Sequence, residues 1–104
     1  MGAKLAFADI DPTTLNIDPA AIERAITPRT KAIMPVHLAG QPCDLDAIYA
    51  IGKKHNIPVM WDLGSGSFID LASYGIGDEP TVQQAVNAGV DILTFSGDKL
   101  LGGP

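Results

Sequence analysis

A single cysteine, Cys43, stands among the 104 residues, which excludes an internal disulfide and a multi-cysteine metal site. The two histidines, His37 and His55, are distant in sequence, so a histidine-based metal centre has little support either. No apolar run approaches the roughly 20 residues needed to cross a bilayer, and the N-terminus lacks the charged-then-apolar pattern of a secretory signal. The expectation is a soluble chain in a reducing cytoplasm, with no membrane partner. Lys and Arg number 7 against 12 Asp and Glu, giving a net charge of −5. The cations are scattered, so no basic stripe offers itself to a nucleic acid backbone. No Gly-x-Gly-x-x-Gly follows the first apolar run. The glycine-rich stretch Gly97 to Gly103 lacks the Gly-x-x-x-x-Gly-Lys-Ser/Thr order, because Lys99 precedes its glycine pair. A dinucleotide fold and a nucleoside triphosphate site are therefore both disfavoured. Repeats, low-complexity tracts and linkers are absent as well.

What is present suits a buried sheet. The apolar fraction is 46%, and 104 residues leave room for one small domain. Leu5 to Ile10, Lys31 to Leu38, Ile57 to Trp61 and Ile92 to Phe95 are short, nearly continuous apolar runs, as expected of strands covered on both faces. Helical signals lie between them. Asp18-Pro19 reads as an N-cap followed by proline at the first helical position. Asp44 can cap a helix that ends near His55-Asn56, before Pro58. Thr81 and Gln84 have the spacing of a capping box, opening a helix that stops at Gly89. Strand and helix in alternation predict an α/β fold with an open, mostly parallel sheet and flanking helices.

In such sheets ligands gather at the carboxyl ends of the strands, an edge that carries Asp9, His37, Asp62 and the Ser96 to Lys99 loop. Lys99 and Asp62 are 37 positions apart, enough for one loop, one helix and one strand. An amine and a carboxylate at the ends of neighbouring strands are what pyridoxal 5'-phosphate requires, one to carry the cofactor covalently and the other to pair with its pyridinium nitrogen. The plainer alternative is a turn-capping Asp62 and a solvated Lys99. Ser96 and the amides of the Ser96-Gly97-Asp98 turn can bind phosphate oxygens, or form an ordinary serine turn. Asp98 can serve as an acid or base beside the lysine, or satisfy local amides. His37 is either close to the cofactor or a structural hydrogen-bonder. Trp61 should point away from Asp62 into the core, because strand side chains alternate. Gly64 opens a stretch, Leu63 to Pro80, expected to hug the site, and is grouped with the candidate cofactor-binding residues. Cys43 and His55 flank a helix and read as structural or exposed.

From Asp62 onward, Asp-Leu-Gly-Ser-Gly-Ser-Phe-Ile-Asp-Leu, then Asp78-Glu79-Pro80-Thr81-Val82-Gln83, then Thr94-Phe-Ser-Gly-Asp-Lys-Leu-Leu-Gly-Gly-Pro104 closely resembles the bacterial L-seryl-tRNA(Sec) selenium transferase family. The resemblance implies a fold-type I pyridoxal phosphate enzyme that makes selenocysteinyl-tRNA from seryl-tRNA and selenophosphate. It places the cofactor on Lys99, the pyridinium partner at Asp62 and the lysine's acidic neighbour at Asp98. The earlier stretch resembles the DegT/DnrJ/EryC1/StrS sugar aminotransferases, through Asp9-Ile-Asp-Pro, Leu15-Asn-Ile-Asp-Pro and Ala25-Ile-Thr-Pro-Arg-Thr-Lys-Ala-Ile-Met-Pro-Val-His-Leu-Ala-Gly-Gln-Pro-Cys-Asp-Leu-Asp-Ala-Ile. That likeness implies amination of nucleotide-linked keto-sugars. Where that family has Asp-x-Ala, this chain has Asp62-Leu63-Gly64.

The expected organisation is thus part of one pyridoxal-phosphate-binding large domain over 1–104, aminotransferase-like over 1–59 and selenium-transferase-like over 60–104. Against the pattern that the resemblance implies, the strand that normally separates the first two runs, the upstream phosphate-binding loop and the small domain are expected to be missing from this stretch. The piece is then expected to pair its strands differently, to self-associate as a homo-oligomer, to meet tRNA only through other regions and to lack turnover alone. A non-catalytic or engineered α/β module is the remaining alternative.

Overall fold

The structure is a computed structural model that describes residues 2–38, 41–77 and 80–104. Helix α1 (Pro19–Ala25) begins where the Asp18 carboxylate accepts hydrogen bonds from the Ala20 and Ala21 amides. Proline occupies its first turn, where a missing N–H costs nothing. Helix α2 (Leu45–His55) is capped by Asp44 through the Ala47 N–H at 3.0 Å. It ends at Asn56, which takes the left-handed conformation (φ 53°) and returns its N–H to the last turn. Lys53, Lys54 and His55 crowd that end, where cations complement the helix dipole.

Strand β1 (Met60–Asp62) leads into a loop with a 3-10 turn at Leu71–Tyr74. Helix α3 (Val82–Asn87) follows, then strand β2 (Ile92–Thr94). The expected Thr81–Gln84 capping box is formed in both directions, at 2.7 and 3.1 Å. β1 and β2 pair in parallel, Met60 with Ile92, Trp61 with Leu93 and Asp62 with Thr94, so α3 is the crossover between adjacent parallel strands.

The α/β class and parallel pairing agree with the sequence. Two of the expected strands do not form. Lys31 to Leu38 meets the sheet at one parallel bridge, Ile33 with Val59, in which Ile33 N–H donates to Pro58 and Met60 N–H to Ile33. The next donor in that ladder would be residue 35, and Pro35 has no N–H. Leu5 to Ile10 has no ladder at all among the described residues, only an antiparallel bridge from Ile10 to Ile17. Leu5 and Phe7 are 86% and 89% exposed.

Burial from Val59 to Leu63 alternates. Val59, Trp61 and Leu63 are buried, Met60 is half-buried and Asp62 is exposed. The expectation of strands covered on both faces is therefore corrected: Met34, Val36 and Ile92 stay exposed, because no described element lies over them. The core is a cluster around Ile22, Ile33, Ile48, Tyr49, Ile57 and Val59, with a second around Trp61, Leu63 and Ala85. Gly52 lets α2 press on the start of the sheet, since a Cβ there would lie 2.7 Å from Val59 Cγ2 and 2.8 Å from the Ile57 carbonyl.

Candidate functional site

Three chain segments end at one edge. Beyond the β1–β2 pair the ladder continues into the loops, with Leu63 N–H donating to Thr94 and Ser96 N–H to Gly64, each at 2.8 Å. On the other side of β1, the parallel Ile33–Val59 bridge carries His37 toward the same edge. Its ring meets Trp61 edge-on, with centroids 5.0 Å apart at 80°. His37, Asp62 with Gly64, and Ser96 to Lys99 thus follow the ends of three adjacent segments, with β1 in the middle.

Asp62 is exposed, and its Oδ1 accepts the Gly64 N–H at 2.9 Å. The plain turn-capping role is therefore present. Oδ2 has no partner among the described residues, so one acceptor oxygen is available. Gly64 sits at φ +70°, a left-handed conformation that glycine adopts without strain. Farther along, a Cβ on Gly66 would strike the Phe95 ring, and Phe95 in turn packs edge-on against Phe68 at 5.6 Å. The residue before Ser96 is thereby fixed against the loop that follows Asp62.

Lys99 and Asp98 are exposed within a loop that closes on itself through Gly103 N–H to the Gly97 carbonyl (2.8 Å) and Gly102 N–H to the Lys99 carbonyl (2.9 Å). Among the described residues neither Lys99 nor Asp62 takes part in an ion pair. Ser96 is half-buried. Trp61 is buried as expected, on the side away from Asp62.

His37 accepts the Cys43 backbone N–H on Nδ1 at 3.0 Å, while its Nε2 is buried and has no hydrogen-bond partner among the described residues. Burial holds the imidazole below its ordinary pKa. Cys43 is structural: it is buried, its thiol donates to the Val36 carbonyl at 3.1 Å, and burial pushes its pKa up. His55 lies away from this edge, beside Lys54 at the Glu23 carboxylate.

One residue of this edge escaped the sequence reading. Asn16 is 4% exposed. Its side-chain amide donates to the carbonyls of Gln41 and Pro42, each at 3.1 Å, and its Oδ1 accepts the Leu38 N–H at 3.1 Å. It clasps both flanks of the loop that follows His37. The available signal was an asparagine between Leu15 and Ile17, which places a polar amide among apolar neighbours.

Residues 1–82 match the model of the DegT/DnrJ/EryC1/StrS aminotransferase family. The chain is also 46% identical over 99 residues to an L-seryl-tRNA(Sec) selenium transferase of Geobacter metallireducens, an alignment covering 88% of the chain and 21% of that relative. A solved 3-amino-5-hydroxybenzoic acid synthase superposes with a TM-score of 0.58 at 44% identity, over 61% of this chain and 16% of that one. NtdA from Bacillus subtilis, solved with bound cofactor PMP, superposes with a TM-score of 0.55 at 43% identity, over 66% of this chain and 16% of that one. The chain spans about a fifth of the length of the curated relative described here. With residues 1–82, most of its length, matched by the family model, the chain belongs to the DegT/DnrJ/EryC1/StrS aminotransferase family.

Proposed function

We propose that this chain supplies the central cofactor-binding stretch of a pyridoxal-phosphate-dependent transferase, with Lys99 as the covalent anchor and Asp62 as the partner of the ring nitrogen. The observation that carries this reading is the Ser96 N–H to Gly64 carbonyl bond, which brings the lysine loop and the Asp62 turn to one edge of adjacent parallel strands. The residues present fit such a ligand. Asp62 Oδ2 is an unused acceptor, and His37 Nε2 is a buried group that lacks a partner. A Cβ on Gly64 or Gly97 would meet nothing within 4 Å, so both backbone stretches face open space.

When bound, the cofactor supplies an electron sink for a substrate carbanion. The chain's own groups do the rest. Asp62 as a carboxylate holds a proton on the ring nitrogen by charge and hydrogen bonding. The Lys99 amine would hold the cofactor and, when free, would carry a proton to and from the reacting carbon, with Asp98 beside it as a second acid or base. The Ser96 hydroxyl and the amides of the Gly97 turn receive phosphate oxygens.

For the whole protein we favour seryl-tRNA selenation, supported by the Ser96-Gly97-Asp98-Lys99-Leu100-Leu101-Gly102-Gly103-Pro104 loop and the likeness to selenium transferases. In this reading 60–104 is the selenium-transferase-like part and 1–59 the aminotransferase-like part of one incomplete domain. The second reading, amination of a nucleotide-linked keto-sugar, is supported by the family match over residues 1–82. Titration with pyridoxal phosphate, borohydride reduction and peptide mass mapping test the anchor. A covalent adduct at Lys99 that disappears in Lys99→Ala is expected, and absence of an adduct there leaves an inert α/β module. In the whole protein, seryl-tRNA added to the pyridoxal phosphate form and a keto-sugar nucleotide added to the pyridoxamine phosphate form, which supplies the amino group, distinguish the substrates by which one changes the cofactor's visible absorbance.

A further inference from the structure

We propose that Gly103 is a positioning residue for Lys99: by closing the 97–103 loop on the Gly97 carbonyl, it presents the amine on a loop that is already shut before any cofactor arrives. This rests on the cofactor reading above. The loop has little else to hold it. Gly97, Asp98 and Lys99 are exposed, Leu100 and Leu101 are 51% and 46% exposed, and among the described residues no side chain of the loop joins either core cluster. What closes it is backbone. Gly103 N–H donates to the Gly97 carbonyl at 2.8 Å, and within that closure Gly102 N–H donates to the Lys99 carbonyl at 2.9 Å.

Gly103 is selected by contact. A Cβ there would lie 2.8 Å from the Gly97 carbonyl oxygen and 3.4 Å from its carbon, and a backbone atom cannot rotate aside as the tip of a side chain can. Gly102 is selected differently, because its φ of +65° is left-handed while a Cβ on it would meet nothing within 4 Å. One glycine admits a close approach and the other turns the chain. The root of the loop is fixed as well: Ser96 N–H donates to the Gly64 carbonyl at 2.8 Å, and Phe95 fills the space beside Gly66. Lys99 therefore stands on a closed loop fastened to the Asp62 turn. An open loop would have to be ordered at the moment of binding, and closing it beforehand removes that entropic cost from the binding step.

The test measures labelling of Lys99 in the whole protein by two aldehydes, pyridoxal phosphate and formaldehyde, each fixed with borohydride and mapped by peptide mass spectrometry. Formaldehyde needs only an accessible amine, whereas the cofactor needs that amine aimed at its site. Gly103→Ala should bind and label with pyridoxal phosphate about tenfold more weakly, the size of one lost hydrogen bond, and should label equally well with formaldehyde. Because the loop is exposed, the denaturation midpoint should not move. Gly102→Asn, which tolerates the left-handed region, should keep most of the pyridoxal phosphate labelling, and Gly102→Val should lose it. In the unmodified protein without cofactor, hydrogen exchange resolved to single residues should find the Gly103 amide protected.

Full pyridoxal phosphate labelling in Gly103→Ala, or an equal loss with both aldehydes, overturns the positioning role and spares the Lys99 anchor. A freely exchanging Gly103 amide also overturns it, and that measurement carries the test should the variant fail to fold. Labelling of the unmodified protein at Lys99 by formaldehyde but not by pyridoxal phosphate, with the Gly103 amide protected, overturns the anchor and the positioning role together.

Discussion

Phe95 lies where the Cβ of any residue other than glycine at position 66 would be. Gly66 also holds φ +68°, so the contact and the backbone conformation select the same residue. Position 66 belongs to the loop after Asp62, and Phe95 is the residue before Ser96. The two halves of the candidate site are therefore joined by packing as well as by the Ser96–Gly64 hydrogen bond.

Gly66→Ala is expected to destabilise the chain by about 2 kcal/mol or more, combining overpacking with an unfavourable positive φ. A urea denaturation midpoint measures this. The variant should also bind pyridoxal phosphate less tightly, because relieving the clash displaces Phe95 and with it Ser96.

Ile48 is fully buried, at 0% exposure, between α2 and the sheet. Ile48→Ala should cost about 3 kcal/mol through lost burial and the cavity left behind, read as a lowered denaturation midpoint with little change in the denaturant slope.

Tyr49 is buried and its hydroxyl has no partner among the described residues. Burial, with Asp91 and Asp46 adding to it, raises its pKa, so the group is a neutral phenol. Tyr49→Phe keeps the ring in the core and removes an unsatisfied donor. Its stability should be unchanged or higher by up to about 1 kcal/mol, and calorimetry should show a melting temperature that does not fall.

Stability should depend on pH in two separable windows. His37 has its pKa lowered by burial from an ordinary 6.5, so below 6.5 the unfolded chain binds the proton more readily than the folded one. The stability from its neutral form is fully present above 6.5 and is lost as pH falls through the lower folded value. Glu23 is held below its ordinary 4.5 first by hydrogen bonding to Lys54 and then to His55. Its contribution is present above 4.5 and is lost only as pH falls further. Denaturation series across both ranges should show the upper window flattened in His37→Gln and the lower one in Glu23→Gln.

The parts of this fold that were legible in the sequence are those written in local chemistry. Asp18-Pro19, Asp44 and the Thr81–Gln84 pair announce three helix starts, and each cap is formed. Trp61 and Asp62 alternate as a strand requires. Apolar content alone overstated the sheet. Leu5 to Ile10 reads as a strand but has nothing beside it to pair with, and Lys31 to Leu38 contains a proline at the register position where a donor is needed. Asn16 and Cys43 were illegible as site supports because the partners of Asn16 are backbone groups more than 20 positions away, and those of Cys43, the His37 ring and the Val36 carbonyl, lie across a loop. That Asp62 and Ser96 follow neighbouring parallel strands was legible because the strand–helix–strand order itself dictates the pairing direction. The 78–79 part of the Leu63 to Pro80 expectation lies outside the described residues.

The missing N–H of Pro35 divides the edge mechanically. Asp62 and Ser96 ride on a hydrogen-bonded pair of strands and must move as one body. His37 stands outside that pair on a segment anchored separately by Asn16 and Cys43, so a ligand touching both sides would bridge two independently fastened parts of the chain.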